Sequence, residues 1–299
     1  MSQMPEPVRE DVAALLGTPI LSMRDLGSGH GVGRARATTV DGAVLIKWSV
    51  SLSPPTGWPA PLDAEARGLR VLGEAGAIRV PAVLAYAARD SYGELLVTEW
   101  IGSDSRVARG AAGQALGERL AVLHRSTAAR YGLDHHNYCG ATPQPNTPRD
   151  SWLVFWREER LNHQLRLAAS HGVLPRARRE RLERLMSRLD RWIDDASVRP
   201  SLIHGDLWGG NWLVDDQGEP VLIDPAAYYG DREAELAMCD LFGGFPTSFW
   251  RAYDEAWPPA PGRDDRRPIY QLYHLLNHLN LFGESYGASI DAILRRYVG

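Results

Sequence analysis

Leu202-Ile203-His204-Gly205-Asp206-Leu207-Trp208-Gly209-Gly210-Asn211, followed by Val221-Leu222-Ile223-Asp224-Pro225, is the stretch on which the fold turns. One apolar run delivers an aspartate, an asparagine follows five positions later, and a second apolar run delivers another aspartate thirteen positions beyond that. Singly, each Asp or Asn reads as an ordinary cap or turn residue. Together they form the set that phosphoryl transfer requires. One carboxylate orients an attacking hydroxyl and takes its proton, while an amide oxygen and a second carboxylate hold Mg²⁺ on a triphosphate. Asp206 is the candidate base and Asn211 and Asp224 are the candidate metal ligands, with ATP and Mg²⁺ as the expected cofactors. Pro225 disfavours the helical region for the residue before it, so Asp224 is expected in an extended conformation. His204, closing an apolar strand, reads as a structural histidine that braces the loop.

The spacing resembles the catalytic loop and metal aspartate of protein kinases, which implies a first lobe that holds the nucleotide. Gly27-Ser28-Gly29-His30-Gly31-Val32-Gly33 marks a strand turn where backbone amides, Gly29 and Gly31 among them, can approach phosphate closely. A glycine-rich hairpin with no nucleotide role would look the same. Lys47 is the only lysine, against 32 arginines among the 33 basic residues. A coding bias explains the general absence of lysine but not the exception, which points to a compact point charge that an arginine fork cannot replace. Chance survival is the alternative. In a kinase Lys47 would contact the α- and β-phosphates, and Glu65 on the next helix is its candidate partner, unless it is a solvated helix charge like Asp63 and Glu74. Thr98-Glu99-Trp100-Ile101 falls where a linker would offer backbone hydrogen bonds to adenine, which makes Glu99, Trp100 and Ile101 candidate nucleotide contacts.

The wider chain agrees with a two-lobed outline. Val8–Leu16 reads as a helix, Ala37–Val40 and Ala43–Trp48 as strands around Asp41-Gly42, Ser53–Pro61 as a loop and Leu62–Ala75 as a helix. Strands near Val83–Ala88 and Glu94–Trp100 follow. After Ile101-Gly102 the periodicity is helical over 111–128, 152–169, 176–195, 233–241, 249–257, 267–282 and 290–297, with a proline-rich loop over 140–148. The expected fold is α+β, a bilobal protein-kinase-like arrangement. A small antiparallel-sheet lobe with its linker would span 1–101, and a larger helical lobe carrying catalysis and substrate would span 102–299. The arginines of 176–184 alternate with Glu180 and Glu183 at helical spacing and read as a solvated face.

Bulk composition excludes several classes. A net charge of -4 gives no drive toward nucleic acid or an anionic membrane surface. No apolar run reaches the roughly 18 residues of a spanning helix. Met1–Asp11 has no basic-then-apolar leader pattern. Two cysteines, Cys139 and Cys239, fit neither a disulfide framework nor a zinc site by spacing, so a reducing, cytoplasmic setting is expected.

A closer resemblance rests on His204-Gly-Asp-Leu-Trp-x-Gly-Asn211, Ile223-Asp-Pro-Ala-x-Tyr-Tyr-Gly230, Phe242-Gly-Gly-Phe-Pro246 and Leu276-Asn-His-Leu-Asn280. Cys139-Gly140, Pro143–Asn146, Trp152, Arg160-Leu161 and Glu65-Ala66-x-Gly68-Leu69 add to it. Taken together these motifs resemble the fructosamine kinase/ketosamine-3-kinase family, while aminoglycoside and choline kinases share only the sparser catalytic pattern. The resemblance implies ATP-dependent phosphorylation of the 3-hydroxyl of ketosamines, free or formed on protein lysines, with release of the amine. By position it implies Asp206 as base, Asn211 and Asp224 on Mg²⁺, Lys47 and Glu65 on ATP, and Trp208 lining the sugar pocket. Asp231 stands where the family usually has His, and with Glu233 it is a candidate for a negative field near the substrate's amine. Core packing for Trp208 and helix capping for the two acids are the competing readings. His30, Val32 and Arg34-Ala35-Arg36 depart from the family's usual glycine-loop form. An aminoglycoside- or choline-like kinase and a non-catalytic nucleotide-binding module are the rival functions.

Overall fold

Glycines and small residues set the first sheet. The computed structural model describes residues 4–29, 31–49, 54–102 and 109–299. Helix α1 (Glu6–Leu16) buries Val8 and Val12, one turn apart, and ends at Gly17 in the left-handed region. Strands β1 (Ser22–Gly29), β2 (Val32–Thr39) and β3 (Gly42–Ser49) form successive antiparallel hairpins. β2 buries Gly33, Ala35, Ala37 and Thr39, the period of two expected of a strand with one core face. At Gly33 any Cβ would lie 2.3 Å from the Trp48 ring, so the strand passes over that indole only as glycine. The β2–β3 turn uses Val40-Asp41, with Gly42 (φ 134°) opening β3, one residue earlier than Asp41-Gly42 suggests.

Helix α2 (Pro61–Ala75) follows, then β4 (Val83–Arg89) and β5 (Gly93–Glu99). The sheet order is β1-β2-β3-β5-β4. α2 lies on one face of it, where Leu62 and Ala66 meet Leu96. Ser53, the start of the expected loop, lies outside the described residues.

Helix α3 (Arg109–Leu123) opens the helical part. It packs backbone to backbone on α8 (Thr247–Ala256), since a Cβ on Gly117 would stand 2.3 Å from the Phe249 carbonyl. A short hairpin joins β6 (Asn137–Cys139), just before the segment expected as loop, to β7 (Thr142–Gln144), which lies inside it. The helix expected over 152–169 is α4 (Trp152–Phe155), a π-helical stretch (Trp156–Asn162) and α5 (His163–Ser170) in direct succession. That wide turn seats Arg160, which is fully buried and donates to Pro145 O (2.6 Å) and Asn146 Oδ1 (2.8 Å). Helix α6 (Arg176–Met186) stops nine residues short of the expected 195, where two 3₁₀ turns take over.

The central strand-loop-strand is two crossed ribbons. β8 (Ser201–Ile203) pairs with β11 (Tyr228–Gly230), and between them β9 (Trp212–Val214) pairs with β10 (Pro220–Leu222). Helices α7 (Arg232–Phe242), α8, α9 (Arg263–Phe282) and α10 (Gly287–Val298) complete an α+β architecture. No helix among the described residues is long and apolar enough to cross a membrane.

Candidate active site

The loop after β8 is held from both sides. Gly205 (φ 83°) has no room for a Cβ, which would meet the Ala226 carbonyl at 2.1 Å. His204 is buried; its Nε2 donates to Ile223 O (2.8 Å) and its Nδ1 accepts from Asp206 N (3.3 Å), which ties the two motif segments together. Burial holds this imidazole below its ordinary pKa, as a neutral ring with one donor and one acceptor nitrogen requires. Its expected bracing position is the observed one.

A residue that sequence reasoning missed holds the same loop from below. Glu235 on α7 accepts from His204 N (3.0 Å), Gly205 N (2.9 Å) and His124 Nε2 (3.0 Å). His124 Nδ1 in turn accepts from the Tyr253 hydroxyl (2.8 Å). Its only sequence signal was a carboxylate in the middle of a helix whose first eight residues are all buried.

Asn211 Nδ2 donates to Asp206 O (2.8 Å) and Oδ2 (3.3 Å), and the Asn211 side-chain oxygen has no hydrogen-bond partner among the described residues. Asp206 has its pKa pushed up to about 7 by burial, with the Asp224 and Glu235 charges adding to the rise and hydrogen bonds from Cys139 and Asn211 opposing it. Cys139 is another residue whose contact with the site sequence reasoning missed. It is buried, Asn277 Nδ2 approaches its sulfur at 3.5 Å, and burial pushes its thiol well up, so it faces Asp206 as a neutral donor. Cys139 Sγ, His274 Nδ1 and a carboxylate oxygen of Asp206 lie within 4.8 Å of one another.

Lys47, on β3, reaches Glu65 Oε1 at 2.7 Å and Asp224 Oδ1 at 2.6 Å. Burial alone would lower the ammonium's pKa, but the two carboxylates more than offset that and hold it charged. Burial likewise opposes ionisation of Asp224, and Lys47 overrides it, keeping that carboxyl below its ordinary range. The backbone of Asp224 departs from expectation. Its φ is 54°, so it is left-handed rather than extended, alone among the described non-glycine residues. The proline rule favours the extended region, so Asp224 departs from it, though Asp is among the few non-glycine residues that tolerate positive φ. Strain of this kind is characteristic of functional sites.

Two cavities meet at this ion pair. One, of about 310 Å³, is lined by Gly29, Leu62, Tyr138, Gly140, Asp206 and Trp208 among others. The second, of about 370 Å³, has an apolar wall that includes Leu45, Leu69, Pro81, Ile101 and Leu213. Arg34, Lys47, Glu65 and Asp224 belong to both. Trp208 is 42% exposed and its ring covers Gly210, where a Cβ would stand 2.3 Å away, so it lines the cleft rather than a core. Tyr138 and Gly140 enter from the β6–β7 hairpin, which periodicity does not announce. Gly31 (φ 80°) stands at the β1–β2 tip; His30 lies outside the described residues.

The structure refines one expectation and corrects another. Glu99, Trp100 and Ile101 all line the apolar cavity; the Glu99 N–H donates to Ala82 O (2.9 Å) and the Trp100 N–H to Ala43 O (3.2 Å), so sheet pairing uses those two N–H groups. The Glu99 carboxylate pairs with Arg79, and the Trp100 ring carries the Arg36 guanidinium at 5.2 Å. Among the described residues only Ile101 of the three has an N–H without a backbone acceptor. Asp231 is not in the cleft at all. It is 7% exposed, caps α7 by accepting from Glu233 N (2.9 Å) and accepts from the Tyr270 hydroxyl (2.5 Å). Free N–H groups at a helix start recruit a carboxylate, and β11 delivers Asp231 there. Glu233 pairs bidentately with Arg266 (2.8 and 2.9 Å), and both acids line a separate cavity with Arg125, Arg232 and Trp257. A Mg²⁺ ion is a hard cation that takes oxygen ligands, and the Asn211 side-chain oxygen and Asp224 carboxylate on one cavity wall are such a donor set.

The comparisons with known proteins agree with this geometry. The fructosamine kinase family model matches residues 46–299. A probable ketoamine kinase of Lactiplantibacillus plantarum is 44% identical over 79% of this chain and 81% of its own. The chloroplastic protein-ribulosamine 3-kinase of Arabidopsis thaliana is 34% identical over 98% of this chain and 88% of its own. The crystal structure of a candidate fructosamine-3-kinase from Thermobifida fusca superposes with a TM-score of 0.86 at 34% identity, covering 98% of both chains. The chain belongs to the fructosamine kinase family and is a kinase with that family's protein-kinase-like fold.

Proposed function

We propose that this protein transfers the terminal phosphate of ATP to the 3-hydroxyl of a ketosamine, such as a fructosamine or ribulosamine adduct of a small amine or of a protein lysine. The observation that carries the reading is the junction itself. The Lys47–Glu65–Asp224 cluster stands between an apolar cavity suited to adenine and a second cavity holding Asp206 and Trp208. Adenine would rest against Leu45, Leu69 and Ile101, and the amides around Gly29 and Gly31 would approach the phosphates. Asn211 and Asp224 would hold Mg²⁺, which supplies neutralisation of the charge on the phosphates. Asp206 takes the proton of the 3-hydroxyl as its oxygen bonds to the phosphorus and ADP leaves. Trp208 offers a flat aromatic face to the polyol and its cationic amine.

The nucleotide-binding part would end at 101 and the catalytic and substrate part would run over 102–299. The buried free thiols Cys139 and Cys239 suit a reducing, cytoplasmic setting. Substitution of Asp206 tests the chemistry. Asp206→Asn should cut turnover by roughly 10²–10⁴-fold, the usual worth of a general base, with Mg·ATP binding retained by calorimetry. Activity within a few-fold of wild type would remove Asp206 from the mechanism.

A further inference from the structure

Among the described residues, Lys47 and Arg34 are the basic ones that line the two cavities. Lys47 is already matched by two carboxylates, with Asp206 adding a third acid to the cleft wall. A nucleotide triphosphate carrying one divalent cation is still an anion, so this cleft without further positive charge would repel it. Arg34 is the other source of that charge. It faces Lys47 across the β2–β3 ladder, and residues directly opposite in a ladder project to the same face. Its Nη2 lies 3.4 Å from where a Cβ of Gly29 would be, which puts the guanidinium beneath the hairpin tip. Arg34 makes no hydrogen bond or ion pair among the described residues, and its charge helps keep Asp224 ionised.

We propose that Arg34 is a phosphate-binding residue that grips the terminal phosphate of the nucleotide. The assignment rests on the ATP reading above. Gly29, against which the guanidinium lies, lines the Asp206 cavity and not the apolar one, so the fork stands on the transfer side of the junction. A planar fork suits two phosphate oxygens, and an exposed, partnerless arginine has no stability role to lose. This residue also gives a function to the Arg34-Ala35-Arg36 departure in the glycine loop, whose second arginine is occupied on Trp100.

Calorimetric titration of the full chain with Mg·ATP and Mg·ADP tests it, with Arg34→Gln and Arg34→Lys beside wild type. Arg34→Gln should weaken Mg·ATP about tenfold or more, as expected for a lost charge-assisted bond, and Mg·ADP by no more than about threefold. Arg34→Lys should recover part of the Mg·ATP loss. Wild-type affinity for Mg·ATP in Arg34→Gln would overturn the proposal while leaving the nucleotide reading intact, and so would equal losses for both nucleotides. A wild-type chain that bound neither nucleotide would overturn both.

Discussion

The Asp206 carboxyl has burial and the charges of Asp224 and Glu235 on one side of its balance, and the Cys139 thiol and Asn211 amide on the other. Its pKa of about 7 decides the pH at which it is a base. A carboxylate accepts a proton only when ionised, so kcat/KM, which reports the free enzyme, should fall as pH drops through about 7. A pH–rate series gives the answer: a kcat/KM flat down to pH about 5, near the ordinary carboxylate range, would contradict the burial argument. Asp206, Asn211 and Asp224 were legible in sequence because their spacing on either side of apolar runs is itself the signal, while Lys47 stood out as the only lysine and Glu65 as a carboxylate on the next helix. Asp231 was not, because a carboxylate that caps a helix and one that faces a ligand look identical until the helix start is located. The φ of Asp224 was missed because the proline rule favours the extended region, from which this residue departs.

At the scale of elements, α7 does more than fill the core. Glu235 on its buried face binds two successive amides of the catalytic loop and His124, which follows α3 directly. Glu235→Gln keeps one acceptor but turns an NH₂ toward an N–H that needs an oxygen. An unsatisfied buried donor costs about 1–3 kcal/mol. The variant should therefore melt earlier and lose kcat, while KM for nucleotide changes little because the adenine wall is untouched. Thermal melts with steady-state kinetics check this, and a stable variant with normal kcat would show that the loop holds itself. Helices with a clean apolar stripe, such as α2 and α9, were readable from periodicity. The β6–β7 hairpin was not, because strands of three residues carry no period to detect. The π stretch in 156–162 follows the seating of Arg160 against Pro145 and Asn146, a tertiary cause that no local pattern announces.

Across the whole molecule, the sheet-bearing and helical parts meet through Lys47 and Asp224, which are 177 positions apart in sequence. The far end is closed by Arg178 of α6, buried and paired with Glu284 and with Asp291 of α10. Hydrogen bonds from Arg178 hold both carboxyls below their ordinary range. Folded pKa values that are depressed give stability that is present above the unfolded value of about 4 and lost as pH falls through it. Melting temperature against pH should therefore drop more steeply below about pH 4 in wild type than in Arg178→Gln, and parallel curves would contradict the linkage. Phosphoryl transfer to a ketosamine can be observed in a single experiment. Purified wild-type protein is given ATP and Mg²⁺ with fructosamine, ribulosamine and erythrulosamine in turn, and with an aminoglycoside and choline, and products are followed by phosphorus NMR. The account predicts a phosphate ester on the 3-hydroxyl of at least one ketosamine and none on the aminoglycoside or choline; phosphorylation of either of those with no ketosamine turned over would contradict it.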